Sequence, residues 1–217
     1  LNFPDAIEQL ANQLGVPIPQ EFSSKPQIQD IDGYAILEKI AAYYEQQLRH
    51  SNIAIDYLKA RGLSGKIVKE FGVGYVSGNW ENIMPALKFS EKEKQSLVKL
   101  GMLISKNNTS FYDRFRDRIM FPIRDRRGRV IGFGGRIIEK GEPKYLNSPE
   151  SPIFHKGKEL YGLYEAAKFL REIPRLLVVE GYMDVIALAQ YDIRNVVATL
   201  GTAITGDHLH QLLRVTP

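Results

Sequence analysis

Leu176-Leu177-Val178-Val179 is a short apolar run that stops at Glu180 and Gly181. A run without polar alternation predicts a strand buried on both faces. Met183 to Gln190 then has helical spacing, Val196 to Leu200 is a second apolar run, and Asp207 to Leu213 has helical spacing again. Strands alternating with helices predict a parallel sheet, because parallel strands need a helix-length crossover between them. A third strand is expected from about Pro217 onward. This topology puts the Glu180 carboxylate at the carboxyl end of a strand, the edge where open parallel sheets bind ligands.

The rest of the chain is patterned differently. Residues 5 to 14 predict a short amphipathic helix, and Pro17 to Gln29 reads as a linker. Ile36, Ile40, Tyr43, Tyr44 and Leu48 predict a helix from Tyr34 to Leu48. Ser51 or Asn52 is positioned to cap a helix through Ala60 that Gly62 ends, and Ser64 caps another. Val73 to Val76 reads as a strand, and Ser90 with Glu93 forms a capping box for a helix to Leu100. Met102–Ser105 and Ser110–Tyr112 flank Asn107-Asn108, a hairpin signal. Ile119–Arg124 and Arg129–Phe133 flank a second turn at Arg126-Arg127-Gly128. Short helices and antiparallel strands therefore precede the parallel unit.

With 44% hydrophobic and 25% charged residues over 217 positions, the chain can bury a core, about one ordinary domain plus part of a second. It has no cysteine, which excludes disulfides and any cysteine-ligated zinc within it. No apolar run approaches the roughly 20 residues that span a bilayer, and Leu1-Asn2-Phe3-Pro4-Asp5 does not open a signal peptide. No membrane partner and a cytoplasmic location are expected. Net charge is only +4, yet residues 114 to 136 hold eight arginines against Asp117 and Asp125. That segment reads either as a solvated hairpin face or as a surface that contacts phosphates.

Glu180 is the foremost candidate for chemistry. An ionised carboxylate at a buried strand end needs a cation, a hydrogen-bond donor or water. Asp184 follows in the first helical turn, where an acid also suits the helix dipole. Gly132-Phe133-Gly134-Gly135-Arg136 superficially matches a dinucleotide fingerprint, but it lies on a hairpin arm rather than between strand and helix. Its glycines predict a bulge or a close backbone approach, with Arg136 at the edge of an open surface. Lys144, Tyr145, Asn147 and Ser148, followed by His155 and Lys156, put cations, donors and an aromatic ring on a Pro-marked loop suited to phosphate and base contacts. His50, His208 and His210 read as surface residues, and Trp80 with Tyr43-Tyr44 as core.

Five strings now carry a resemblance. Tyr112-Asp113-Arg114-Phe115-Arg116-Asp117-Arg118-Ile119-Met120-Phe121-Pro122-Ile123 and Val130-Ile131-Gly132-Phe133-Gly134-Gly135-Arg136 resemble hallmark motifs of bacterial (DnaG-type) replicative primases. So do Pro143-Lys144-Tyr145-Leu146-Asn147-Ser148-Pro149-Glu150 and Phe154-His155-Lys156-Gly157. Val178-Val179-Glu180-Gly181-Tyr182-Met183-Asp184-Val185 is similar to the glutamate motif of the Toprim fold in its primase version. The order and gaps agree with that family over residues 31 to 217.

The resemblance implies an α+β / α/β chain: a helical and antiparallel-strand N-terminal subdomain followed by a truncated, parallel, Rossmann-like Toprim domain. Residues 1–30 would be a tether after an absent zinc-binding domain, 31–170 the N-terminal subdomain of the RNA polymerase core, and 171–217 the first part of Toprim. It implies synthesis of RNA primers on a single-stranded DNA template from ribonucleoside triphosphates, giving an RNA–DNA hybrid. Glu180 would hold Mg2+ or Mn2+ and assist proton transfer, with Asp184 a second acid. Arg136 and Lys144 would line the cleft beside the metals, Arg61 would extend the basic surface, and Lys156 would contact nucleotide or primer, alongside Tyr145 and Asn147. Zinc and the replicative helicase would belong to domains outside these residues. The 217 residues alone are expected not to turn over, since an Asp-x-Asp pair is expected on a later strand. A nuclease or topoisomerase of the Toprim class, and a non-catalytic nucleic-acid-binding module, are the alternatives.

Overall fold

The computed structural model describes residues 32–106, 110–139 and 141–216. The helix expected over residues 5 to 14 and the linker after it lie outside them, as does the Asn107-Asn108 turn.

The first helices start where short polar side chains can satisfy free backbone N–H groups. Asp32 accepts from Tyr34 N at 3.0 Å and starts α1, Gly33–Arg49. Ser51 caps α2, Asn52–Ala60, and Ser64 caps α3, Gly65–Glu70. Strand β1, Gly74–Val76, and a short helix α4, Ile83–Leu87, follow. The Ser90–Glu93 capping box starts α5, Glu91–Lys99. Strands β2, Leu103–Ser105, and β3, Phe111–Asp113, pair antiparallel as their sequence implies.

The structural centre is a four-stranded antiparallel sheet in the order β1-β4-β5-β6, with β4 Arg118–Arg124, β5 Val130–Ile137 and β6 Tyr145–Asn147. Its register sets which side chains share a face. Phe133 opposes Pro122 and meets Tyr44 of α1 edge-on at 5.4 Å. Phe121 opposes Gly134 on the other face. Strand β6 is a correction: residues 145–147 are sheet, not a free loop, because Gly134, Gly135 and Arg136 pair with them.

Helix α6, Leu163–Phe169, leads into β7, Leu177–Val179, α7, Tyr182–Gln190, β8, Val196–Ala198, and α8, Gly206–Leu213. Strands β7 and β8 are parallel, as expected. β8 is buried throughout, and Tyr161 bridges to its Ala198. β7 is not buried on both faces: Leu177 and Val178 are 41% and 39% exposed. Its one strand neighbour among the described residues is β8. The antiparallel sheet and the parallel unit share one core, in which Phe121, Phe154 and Tyr161 meet Tyr182, Val185 and Ala198.

Two aromatic or ring-bearing side chains depart from expectation. Trp80 is 64% exposed, not core; its ring lies at the surface with the Arg116 guanidinium 4.1 Å away and Tyr112 meeting it edge-on. His208 is fully buried, not on the surface, because its ring turns back to hydrogen-bond a loop 50 residues upstream. Among the described residues no helix is long and apolar enough to cross a membrane.

Candidate active site

The carboxyl end of β7 opens onto a cleft of about 340 Å³ lined by Tyr145 and Asn147 from β6, Glu180 to Tyr182 and Asp184 from the β7–α7 turn, and Thr199 and Gly201 after β8. Three distant segments converge because each ends at the same edge. Glu180 and Asp184 are exposed. Neither makes an ion pair or hydrogen bond with any described residue. Gly181 between them is the extended N-cap of α7, where a Cβ would lie 3.3 Å from the Asp184 carboxylate.

Tyr182 anchors this turn. Its ring stacks on Phe121 at 5.2 Å between centroids and 6° between planes, and meets Tyr161 edge-on at 4.8 Å. Gly134 leaves the space, since a Cβ there would sit 2.4 Å from the Tyr182 ring. The close approach expected of the glycine run is thus an aromatic ring against backbone. The Tyr182 hydroxyl donates to Asn147 Oδ1 at 2.5 Å, and Asn147 Nδ2 donates to the Leu200 carbonyl at 2.7 Å. Burial pushes the phenol well above its ordinary range, so it stays a donor. Asn147 therefore ties β6 to both sides of the cleft. Tyr182 and Thr199 were not singled out in the sequence. For Thr199 a signal existed, a polar residue inside the apolar run ending at Leu200; for Tyr182 the destination is 48 residues away at Gly134.

Arg136 is a correction. It is 5% exposed rather than at an open edge, because it stands beside Tyr145 in the β5–β6 register. Its guanidinium lies 5.1 Å from the Tyr57 ring and 5.5 Å from the Tyr145 ring. Its Nε and Nη1 have no hydrogen-bond partner. Arg61, at the end of α2, lies over the same Tyr57 ring at 5.4 Å. The two cations and two rings form a row leading to the cleft wall at Tyr145. Lys144 is exposed immediately before Tyr145, and its carbonyl accepts from Ile137 N and from Arg118. Lys156 lies outside the cleft lining, in a turn where its N–H donates to Glu150.

The arginine-rich segment is not a single phosphate surface. Buried Arg118 donates to the carbonyls of Pro143, Lys144 and Gly135 and supports the start of β6. Arg124 pairs with Glu38 and the Gly128 carbonyl. Arg129 pairs with Asp125 and covers Tyr34 at 3.7 Å. Arg116 is held by Trp80 and the Asp113 carbonyl. Arg126 and Arg127 are exposed at the turn. Most of this charge serves the fold.

The two acids present hard oxygen donors without internal partners, which suits a divalent cation whose remaining positions go to phosphate or water. No cluster of three or more His, Cys, Asp or Glu side chains occurs among the described residues.

Comparison with known proteins agrees with this layout. The family described as DNA primase catalytic core, N-terminal domain, matches residues 43–167, and the Toprim domain matches residues 175–216. The chain is 50% identical to a DNA primase of Pseudomonas putida over 225 residues, covering 100% of this chain and 34% of that one. A solved DnaG primase catalytic domain bound to ssDNA is 49% identical with a TM-score of 0.81, covering 85% of this chain and 60% of the other. The Aquifex aeolicus primase, solved with its zinc-binding and RNA polymerase domains, is 35% identical with a TM-score of 0.79, covering 98% and 51%. The chain spans about a third of the length of the curated relatives it matches. With a family match across more than half its length, an antiparallel sheet joined to a Toprim-type strand and helix, and paired acids at their junction, the chain belongs to the DNA primase catalytic core family.

Proposed function

We propose that this chain is the part of a primase catalytic core that brings the basic wall and the first two metal-binding acids together, for making short RNA primers on single-stranded DNA. The observation that carries this is the pair of unpartnered carboxylates, Glu180 and Asp184, in a cleft whose opposite wall is Tyr145 and Asn147. Family matches at residues 43–167 and 175–216 support reading 31–170 as the N-terminal subdomain and 171–217 as Toprim; residues 1–30 would then be a tether.

The reaction is nucleotidyl transfer: a ribonucleotide 3′-hydroxyl attacks the α-phosphate of a ribonucleoside triphosphate and pyrophosphate leaves. Glu180 and Asp184 would hold Mg2+ or Mn2+, which when bound neutralises charge on the phosphoryl oxygens. Glu180 would also assist proton transfer. The buried Arg136 supplies fixed positive charge, and Lys144 a mobile one, along the backbone of template or triphosphate. Tyr145 presents a ring for a base. Asn147 acts mainly through Tyr182 and Leu200, whose bonds it makes. Arg61 extends the same row of cations.

Single-stranded DNA, ribonucleoside triphosphates and the RNA–DNA hybrid are the partners this reading requires. Zinc and the replicative helicase would engage parts of a primase outside these residues, and the site of action would be the cytoplasm, at replication forks.

The test uses a primase polypeptide carrying these residues. Glu180→Gln is expected to reduce template-dependent primer synthesis at least about a hundredfold. Affinity for a fluorescein-labelled single strand should stay unchanged within about twofold, since no phosphate-binding cation is lost. Undiminished synthesis would overturn the assignment. The 217-residue chain alone should give no robust synthesis with added Mg2+ or Mn2+, because two carboxylates fall short of the roughly six oxygens each hard cation takes.

A further inference from the structure

Lys156 has no direct place in the cleft, yet the turn that carries it is held with unusual completeness. The four carbonyls of residues 156 to 159 all accept hydrogen bonds from side chains on α8 and its N-cap. Thr205 Oγ1 donates to the Gly157 carbonyl at 2.6 Å. His208 Nε2 lies 3.0 Å from the Lys156 carbonyl and 3.1 Å from that of Glu159. Gln211 Nε2 donates to the Lys158 carbonyl. On the other side of the turn, Glu150 accepts from Lys156 N and meets His155 Nδ1.

The tautomer of His208 follows from its neighbours. Thr205 N donates to its Nδ1 at 3.2 Å. The ring proton therefore sits on Nε2, where it is shared between the two loop carbonyls. His208 occupies the third position of a capping box, in which Thr205 Oγ1 accepts from His208 N at 3.1 Å. Glu or Gln ordinarily fills that position and needs only to reach back to the N-cap N–H. A histidine there does a second thing: it carries a donor onward. A glutamate would supply the cap but would set a negative oxygen against two carbonyls.

We infer that His208 is a positioning residue for Lys156, and that α8 and the lysine turn move as one body. This rests on the reading of Lys156 as a nucleotide or primer contact. Fixing the carbonyls of a flexible turn leaves its lysines to meet a phosphate without first ordering the backbone, which lowers the entropic cost of binding. The sequence separates the two segments by about 50 residues, so only the fold reveals the connection.

The test uses the 217-residue chain with a fluorescein-labelled oligothymidylate as probe, at low salt. Lys156→Ala is expected to weaken binding about three- to tenfold. His208→Glu, which keeps the helix cap, and His208→Leu should weaken it comparably, whereas His208→Gln, which can serve both cap and carbonyls, should restore it. Combining His208→Glu with Lys156→Ala should add little to Lys156→Ala alone. Hydrogen exchange at residues 155–159 should accelerate in His208→Glu and His208→Leu but not in His208→Gln. If Lys156→Ala binds normally, the underlying reading of Lys156 fails and the proposal falls with it. If Lys156→Ala weakens binding but the histidine variants do not, or if exchange in the turn is unchanged, the positioning role alone is overturned.

Discussion

Gly134 has no room for a side chain: a single methyl would lie 2.4 Å from the Tyr182 ring. Gly134→Ala must therefore push the Tyr182 ring off Phe121 or bend β5. It is expected to cost about 1–3 kcal/mol, read from urea unfolding. The glycine was legible in the sequence as a close approach; what approaches was not, because the contact joins residues far apart in the chain. Glu180 and Asp184 were legible for the opposite reason, since a carboxylate closing an apolar strand is a local signal. Arg136, Trp80 and His208 were misplaced by local reasoning. Their surroundings are set by Tyr57, Arg116 and the carbonyls of Lys156 and Glu159, none of which lies near them in sequence.

Among elements, the helices with side-chain caps were the easiest to place, since Asp32, Ser51, Ser64 and Ser90 satisfy N–H groups two or three residues away. Helices α4 and α6 lack such caps and were not foreseen. Helix α6 carries an instructive liability. Glu165 is 7% exposed, and burial pushes its carboxyl from 4.5 up to about 7. Burial likewise raises Asp113, a distant residue that accepts from Asn82 N and Ile83 N at the start of α4, from 3.8 to about 6. The folded protein keeps these protons at pH values where the unfolded chain has released them. Stability is therefore greatest in acid with respect to these groups and falls as pH rises from about 4 to 7. Glu165→Gln should raise stability by about 2 kcal/mol at pH 7.5 and change it little at pH 5. Urea titrations at both pH values check the sign; a larger gain in acid would contradict it.

Over the whole molecule, charge and surface part company. The stretch from Arg114 to Arg136 holds eight of the 29 lysines and arginines in the sequence, yet the fold uses much of that charge on carbonyls, carboxylates and rings. The cations proposed to meet phosphate are few: Arg61, Arg136 and Lys144 in the row beside the cleft wall, and Lys156 on its turn. Binding of single-stranded DNA should accordingly be weak, with a log–log salt slope of about −3, the value for about four phosphate contacts. Fluorescence anisotropy across salt concentrations measures it. A slope near −5 would mean that the whole arginine segment reaches phosphate after all.

The stack of Tyr182 on Phe121 has a mechanical consequence. Tyr182 stands between Glu180 and Asp184 in the chain, so the two carboxylates are bolted to the antiparallel sheet rather than to their own short parallel pair. Any rocking of one layer on the other must first slide two parallel rings apart. The acids therefore inherit the stiffness of a four-stranded sheet.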